Sequence, residues 1–182
     1  MKYDIVIVGA GASGLVAAYR AITKNPQLNI LVLEKEGTIG RKLNASGNGK
    51  CNLSNTDMDL SNYYCADYNK LADCFARFST GETIRFFENN GLMIKDRDGY
   101  LYPYCEQASV VLDILRITLK KNKVAIFTGV TDIHLSVKKN NKFIVESSVG
   151  KKEYDSVIFQ QTAILFSTEI MDISETVISQ EV

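Results

Sequence analysis

An α/β fold, a parallel sheet covered by helices, is what this sequence predicts, and three observations predict it. Asp4-Ile5-Val6-Ile7-Val8 is an apolar run of strand length that leads directly into Gly9-Ala10-Gly11-Ala12-Ser13-Gly14, spaced G-x-G-x-x-G. Leu15-Val16-Ala17-Ala18-Tyr19-Arg20-Ala21 then has a helical composition, and a second apolar run, Ile30-Leu31-Val32-Leu33, ends on Glu34. Much later, short apolar strands at 123–127 and 155–158 bracket two alternating segments. That order reads as parallel strand, β-meander, parallel strand, and the whole as a Rossmann-like domain.

The first unit is strand, glycine turn, helix, strand, acid, and each part has a physical role. Gly9 allows the tight turn out of the strand, Gly11 lets a pyrophosphate approach the backbone, and Gly14 lets the helix pack closely on the sheet. The helix start, at Ala12 and Ser13, offers backbone N–H groups and the positive end of a dipole, which suits a diphosphate. Glu34 follows Gly14 by twenty residues and sits at the tip of the second strand. A carboxylate there can accept bonds from ribose hydroxyls. The competing reading is a βαβ unit whose glycines serve packing alone.

Residues 35–55 read as a long polar loop rich in Gly, Asn and Ser, without regular structure of its own, and loops of that length are usually functional or disordered. Arg41, Lys42 and Lys50 add positive charge beside the expected diphosphate. A helix is predicted over about 69–78, with Leu71, Cys74, Phe75 and Phe78 at spacings of three and four. Thr80 is the candidate N-cap of a second helix that carries Ile84 and Phe87 and stops at Asn89-Asn90-Gly91. Phe75, Phe78, Phe86 and Phe87 are expected in the core. Asp98-Gly99 between apolar runs signals a hairpin. Tyr100, Tyr102 and Tyr104 read as a strand face in preference to a pocket lining. A helix over about 107–121 ends in Lys120-Lys121, cations that suit a helix C-terminus.

Composition narrows the function. The chain has 182 residues, with 21 basic and 21 acidic side chains and a net charge of zero, which argues against a nucleic-acid footprint or a polybasic membrane contact. Neither a membrane span nor a signal peptide is legible, so the cytoplasm is the expected location. The four cysteines, Cys51, Cys65, Cys74 and Cys105, show no C-x-x-C spacing, and His134 is the one histidine. No metal site is therefore expected, the cysteines read as free thiols, and His134 reads as a surface strand residue, not an acid–base.

Several stretches closely resemble a bacterial family of FAD-dependent flavoproteins, the NAD(P)/FAD-dependent oxidoreductases of the aminoacetone oxidase and BaiN/YhiN-like type. The resemblance rests on the first βαβ unit, Glu34-Lys35, Gly40-Arg41-Lys42-Leu43 and Ser46-Gly47-Asn48-Gly49-Lys50-Cys51-Asn52-Leu53-Ser54-Asn55. The family pattern over the last two is G-R-K-L-x-x-S-G-G-G-R-C-N-x-[ST]-N, from which this chain departs at Asn48 for Gly and Lys50 for Arg. A Lys cannot replace a bidentate Arg contact. Pro103-Tyr104-Cys105-Glu106-Gln107-Ala108 also matches. The resemblance implies an extended FAD, with adenosine at Glu34, pyrophosphate at residues 9–14, Arg41 and Lys42 near the nucleotide half, and flavin towards residues 46–52. The implied cofactor-binding residues are Gly9, Gly11, Ala12, Ser13, Gly14, Glu34, Lys35, Arg41, Lys42, Ser46, Gly47, Asn48, Gly49, Cys51, Asn52 and Val130. The implied chemistry is flavin-mediated hydride transfer to an unidentified small molecule, with NAD(P)H as electron donor. No side chain stands out as a catalytic acid or base.

The resemblance is legible through about Phe159. There the family carries A-T-G-G, whereas this chain reads Phe159-Gln160-Gln161-Thr162-Ala163, and residues 160–182 hold no Gly, Pro, Lys or Arg. Residues 1–159 are thus expected to be the N-terminal part of an FAD-binding domain, incomplete relative to the family. Residues 160–182 are expected to be an atypical tail, either the product of a truncation or frameshift or a real terminal segment whose apolar residues, from Ile164 to Ile178, dock on the sheet or on a partner. Two rivals stand beside the oxidoreductase reading. One is a non-catalytic remnant or interaction fragment with weak or no FAD binding. The other is an NAD-binding Rossmann domain, against which the 40–55 motif and the meander both argue.

Overall fold

The structure is a computed structural model and describes residues 3–137, 143–154 and 156–159. In chain order the elements begin with β1 (Ile5–Val8), α1 (Ala12–Lys24), β2 (Ile30–Leu33), α2 (Arg41–Ala45) and β3 (Ser54–Asn55). Then come α3 (Tyr68–Arg77), α4 (Thr80–Glu88), β4 (Ile94–Arg97), β5 (Tyr100–Pro103) and α5 (Ala108–Lys121). The chain closes with β6 (Ala125–Phe127), β7 (His134–Val137), β8 (Phe143–Ser147), β9 (Gly150–Tyr154) and β10 (Ser156–Phe159). It divides into two compact units, one of residues 1–39 with 119–182, the other of residues 40–118. Residues 40–118, read from the sequence as part of one block 1–159, form a unit of their own.

The first unit is built on a parallel sheet in the order β10-β1-β2-β6. Ile5 pairs with Ile30 and with Ser156, and Leu31 pairs with Ala125. β2 is buried at all four positions and β1 at three, the near-continuous apolar pattern of parallel strands covered on both faces. One cover is α1, which packs on β1 and β2 and buries Gly14, Leu15, Ala18 and Ile22 at helical spacing. The other is the antiparallel meander β7-β8-β9. Its Val145 and Tyr154 share a core with Tyr3, Val6, Leu31, Leu33 and Val130. The predicted order of parallel strand, meander, parallel strand is therefore the observed one. His134 lies exposed on β7, as the alternation implied.

The second unit holds a three-stranded antiparallel sheet, β3-β5-β4. The β4–β5 hairpin turns on Asp98 (φ 51°) and Gly99 (φ 86°), the two positive φ angles that a tight Asp-Gly turn needs. Three sequence expectations are corrected here. Residues 35–55 are not structureless: Arg41–Ala45 is helical and Ser46–Gly49 forms a tight 3-10-type turn. The N-cap of α4 is Ser79, not Thr80. Ser79 is extended, accepts from the Glu82 N–H, and takes the Glu82 carboxylate on its own N–H at 2.9 Å, a reciprocal capping box. Thr80, one residue on, instead donates its hydroxyl to the Asn55 carbonyl at 3.0 Å.

The phenylalanines make the third correction. Of the four expected in the core, only Phe87 is buried, at 9% exposure, while Phe78 is 48% exposed. Phe75 is half-buried and meets Tyr63 edge-on at 5.1 Å between centroids, and Phe86 meets Phe87 in the same way. No residue of α3 is buried, so its apolar spacing marks a partly covered face and not a core seam. Leu101, buried on β5, is flanked by the outward Tyr100 and half-buried Tyr102, a strand face at these two tyrosines, whereas Tyr104 lies exposed just past the strand. Residues 160–182, the expected tail, lie outside the described residues.

Candidate dinucleotide-binding site

In the first unit, backbone hydrogen bonds bring the predicted nucleotide-end residues together around Glu34. Gly9, at φ 102°, donates its N–H to the Leu33 carbonyl at 2.7 Å, which ties the glycine turn to the tip of β2. The Glu34 Oε2 accepts the Ala10 N–H at 2.7 Å and Oε1 accepts the Glu36 N–H at 2.9 Å. The Glu34 backbone is held just as firmly, with its N–H on the Phe127 carbonyl at 2.8 Å and its carbonyl accepting from Val130 at 2.9 Å. Glu34 was expected to face ribose hydroxyls; it also pins the glycine turn. The two roles are compatible, because a carboxylate oxygen has a second lone pair.

α1 opens on Gly11, with no side chain capping its N-terminus and no acid in its first turn. Ala12 and Ser13 are exposed there and Gly14 is buried against the sheet. A helix start with neither a side-chain cap nor a competing carboxylate is the arrangement that fits a diphosphate. Lys35 is exposed just past Glu34. Val130 is different: its side chain is buried in the core, so this position can offer a ligand only backbone.

In the second unit, the 40–52 segment is a compact reversal. Arg41 and Lys42 stand exposed on α2 while Leu43 is buried. The Ser46 hydroxyl donates to the Leu43 carbonyl at 2.7 Å, and the Lys50 and Cys51 N–H groups return to the Gly47 and Ser46 carbonyls at 3.1 and 3.0 Å. Gly47, Asn48, Gly49 and Cys51 all have positive φ, between 54° and 80°. That density of left-handed backbone explains the run of Gly and Asn in the sequence. Gly47, Asn48, Gly49 and Asn52 are exposed, Ser46 half-buried and Cys51 buried.

Burial pushes the Cys51 thiol above its ordinary range, with a smaller opposing pull from a Ser46 hydrogen bond. A raised thiol is a poor nucleophile. We therefore expect a thiol reagent at pH 8 to label Cys65, Cys74 and Cys105, all exposed, rapidly in the native chain. Cys51 should react only after unfolding. Equal rates at all four, read by mass spectrometry, would refute the buried placement.

Sequence reasoning missed a charge cluster beside this segment. Glu106 takes Lys95 and Arg97 on Oε1, each at 2.5 Å, and Lys50 on Oε2 at 3.0 Å. Lys95 also stands 5.8 Å from the centre of the Tyr104 ring. The cations hold the Glu106 carboxyl at about 2, Lys95 contributing most, then Lys50. Its contribution to stability is thus complete above the ordinary carboxylate value and is lost as pH falls through about 2. The available signal was the alternation of Lys95 and Arg97 along one strand face, which a reading for chemistry passed over.

The parallel sheet, the glycine turn and the acid at the tip of β2 define a Rossmann-type dinucleotide-binding domain. The chain belongs to the HI0933-like family, whose Rossmann-domain model matches residues 3–168, past the Phe159 limit of the sequence reading. It is 44% identical over 126 residues to the 3-dehydro-bile acid delta(4,6)-reductase of Clostridium scindens, covering 69% of this chain and 31% of that one. It is 26% identical over 125 residues to the ribosomal RNA dihydrouridine synthase of Escherichia coli, covering 68% and 30%. The chain thus spans about a third of the length of these curated relatives.

Among solved structures, Thermovibrio ammonificans THI4 superposes with a TM-score of 0.52 at 17% identity, covering 86% of this chain and 56% of that one. The cyclohexanone monooxygenase of Rhodococcus sp. Phi1, bound to NADP+, gives 0.51 at 16%, covering 92% and 28%. At such identities these two speak for the fold alone. Among the described residues no helix is long and apolar enough to cross a membrane, and no three His, Cys, Asp or Glu side chains form a metal-holding group.

Proposed function

We propose that this chain is the FAD-binding N-terminal portion of a flavin-dependent oxidoreductase that saturates a carbon–carbon double bond in a small molecule. The observation that carries the cofactor is Glu34, which holds the Ala10 N–H of the glycine turn while standing at the tip of β2. A second lone pair on its carboxylate oxygens is available to a ribose hydroxyl. The start of α1, with no side-chain cap and no acid, suits the diphosphate. For the second unit the family resemblance alone supports a role, Arg41 and Lys42 for the nucleotide half and Ser46, Gly47, Asn48, Gly49 and Asn52 for the flavin end. FAD, once bound, supplies the hydride acceptor and donor; the protein's part is to bind, orient and exclude water.

Family membership supports FAD in preference to NAD as the resident cofactor, with NAD(P)H as the electron donor. The names of the two curated relatives share one chemistry: one removes double bonds from a dehydro-bile acid, the other turns uridine into dihydrouridine. The higher identity to the first, 44% against 26%, and the balanced charge favour a small molecule over RNA. Four free cysteines suit a reducing cytoplasm.

The test is a visible absorption spectrum of the purified chain, taken before and after adding FAD and desalting. We expect a retained flavin band with one FAD per chain. A protein that stays colourless, while its circular dichroism shows it folded, would refute cofactor binding by this chain and favour the non-catalytic remnant.

A further inference from the structure

We infer that Glu106 is a positioning residue: it clamps Lys50 to the β4–β5 hairpin and so holds the 46–52 segment in its turned shape. The inference rests on the reading of that segment as the flavin end of the site.

The argument starts from what the segment lacks. Four of the five residues 47–51 have left-handed φ, so no regular helix or strand ladder holds them. Two short backbone bonds, from the Lys50 and Cys51 N–H groups, close the turn from within. The turn is anchored below by the buried Cys51 and after it by the Leu53 N–H bond to the Leu101 carbonyl at 2.8 Å. Lys50, the residue at which the turn ends, adds the charged side-chain tie to Glu106.

The two oxygens of Glu106 divide the work. Oε1 faces the hairpin and takes Lys95 and Arg97, neighbours two apart on one face of β4. Oε2 faces the turn and takes Lys50. The carboxylate is thereby a bridge with one foot on each side. Glu106 is itself fixed: its backbone sits at φ 52°, a conformation that non-glycine residues seldom adopt, and its N–H bonds the Pro103 carbonyl at 2.8 Å. The hairpin foot is doubled and the turn foot is single. Losing Arg97 alone therefore leaves the bridge standing, whereas losing Lys50 or the carboxylate breaks it. Glutamine cannot substitute, because its NH₂ would face cations on one side or the other.

The experiment compares Glu106→Gln, Lys50→Met, Arg97→Met and Glu146→Gln with the parent in the full chain. Glu146 is the control, a carboxylate that pairs with Lys151 on the β8–β9 hairpin of the other unit. The first readout is amide hydrogen exchange without cofactor. Glu106→Gln and Lys50→Met should each speed exchange at Lys50 and Cys51 by roughly tenfold or more, with α1 unchanged. Arg97→Met and Glu146→Gln should not, and the double variant Glu106→Gln/Lys50→Met should be no faster than either single one. A general loss of stability would raise exchange throughout and fail this pattern.

The second readout is FAD affinity, which Glu106→Gln and Lys50→Met should weaken by about tenfold or more. Unchanged exchange at residues 50 and 51 overturns the clamp. Unchanged FAD affinity, in a chain whose parent form binds FAD, overturns its positioning role. If the parent chain takes up no FAD, the cofactor reading fails by itself, and the exchange pattern alone decides the clamp.

Discussion

Replacing Glu34 by glutamine lowers the stability of the chain by about 2–3 kcal/mol, a range set by the loss of hydrogen bonds to a charged acceptor. The expectation follows from what the carboxylate does. Each of its oxygens accepts one backbone N–H, from Ala10 and from Glu36. A glutamine side chain has the same shape but presents one oxygen and one NH₂. One of the two backbone donors must then face another donor, in a half-buried position where water only partly relieves it. The surviving bond also loses its charge assistance. The Gly9 N–H bond to Leu33, at the same tip of β2, anchors the turn independently, so the fold survives. Urea unfolding should show a lower midpoint with an unchanged slope. FAD affinity should fall as well, because the turn proposed to meet the diphosphate is no longer fixed from below. A change under about 0.5 kcal/mol, the scale of ordinary surface substitutions, would mean that the two N–H groups are served by solvent and that Glu34 is a ligand residue only.

What was legible in the sequence, and what was not, divides along one physical line. β2 was read at its observed bounds and β1 and α1 within a few residues. Their signals are local: a strand buried on both faces is a plain apolar run, and a βαβ turn announces itself with glycines. The hairpin at Asp98-Gly99 was legible for the same reason, since the turn type dictates the residues. The cap of α4 was misplaced by one residue although a local signal separates the two candidates: Ser79-x-x-Glu82 has the spacing of a capping box, and Thr80 has Thr83 at that position. The bond from Thr80 to Asn55, 25 positions away, was not legible. The phenylalanines failed similarly. Spacing shows that α3 has an apolar face but not how much of that face is covered. The expected nucleotide-end residues were picked out through a motif, yet the hydrogen bond from Ala10 to Glu34 was not, because it joins two ends of a βαβ unit. The cluster of Glu106 and its three cations was missed, and Lys50, read as a charge for the diphosphate, pairs with Glu106 instead: the four residues come from three segments, and only the fold brings them to one carboxylate.

The turn at Gly47 supplies the second large effect, and two glycines two positions apart make it sharp. Gly47 has φ 55°, and a Cβ built there would lie 2.8 Å from the Asn52 backbone nitrogen. That is a collision with main chain, which cannot rotate away as a side-chain end could. Gly49 has φ 80°, but a Cβ there meets nothing within 4 Å. Both alanine variants carry the cost of a left-handed non-glycine residue, roughly 1–2 kcal/mol. Only Gly47→Ala adds the clash, so it should lose about 2–4 kcal/mol where Gly49→Ala loses about 1, on the scale of strain at special backbone positions. The chain has a cheaper route than unfolding, which is to open the turn between Ser46 and Cys51. Gly47→Ala should therefore show its effect first as exposure of Cys51, whose thiol becomes reactive in the native chain. FAD affinity should fall at least tenfold, and the melting temperature by about 4 °C or more, since a chain of this size loses roughly 2–4 °C per kcal/mol. Gly49→Ala should leave Cys51 protected. If the two variants behave alike in thiol reactivity and FAD uptake, the close approach of residue 47 to the Asn52 backbone does not shape the site. The glycine content of the segment would then answer to φ alone.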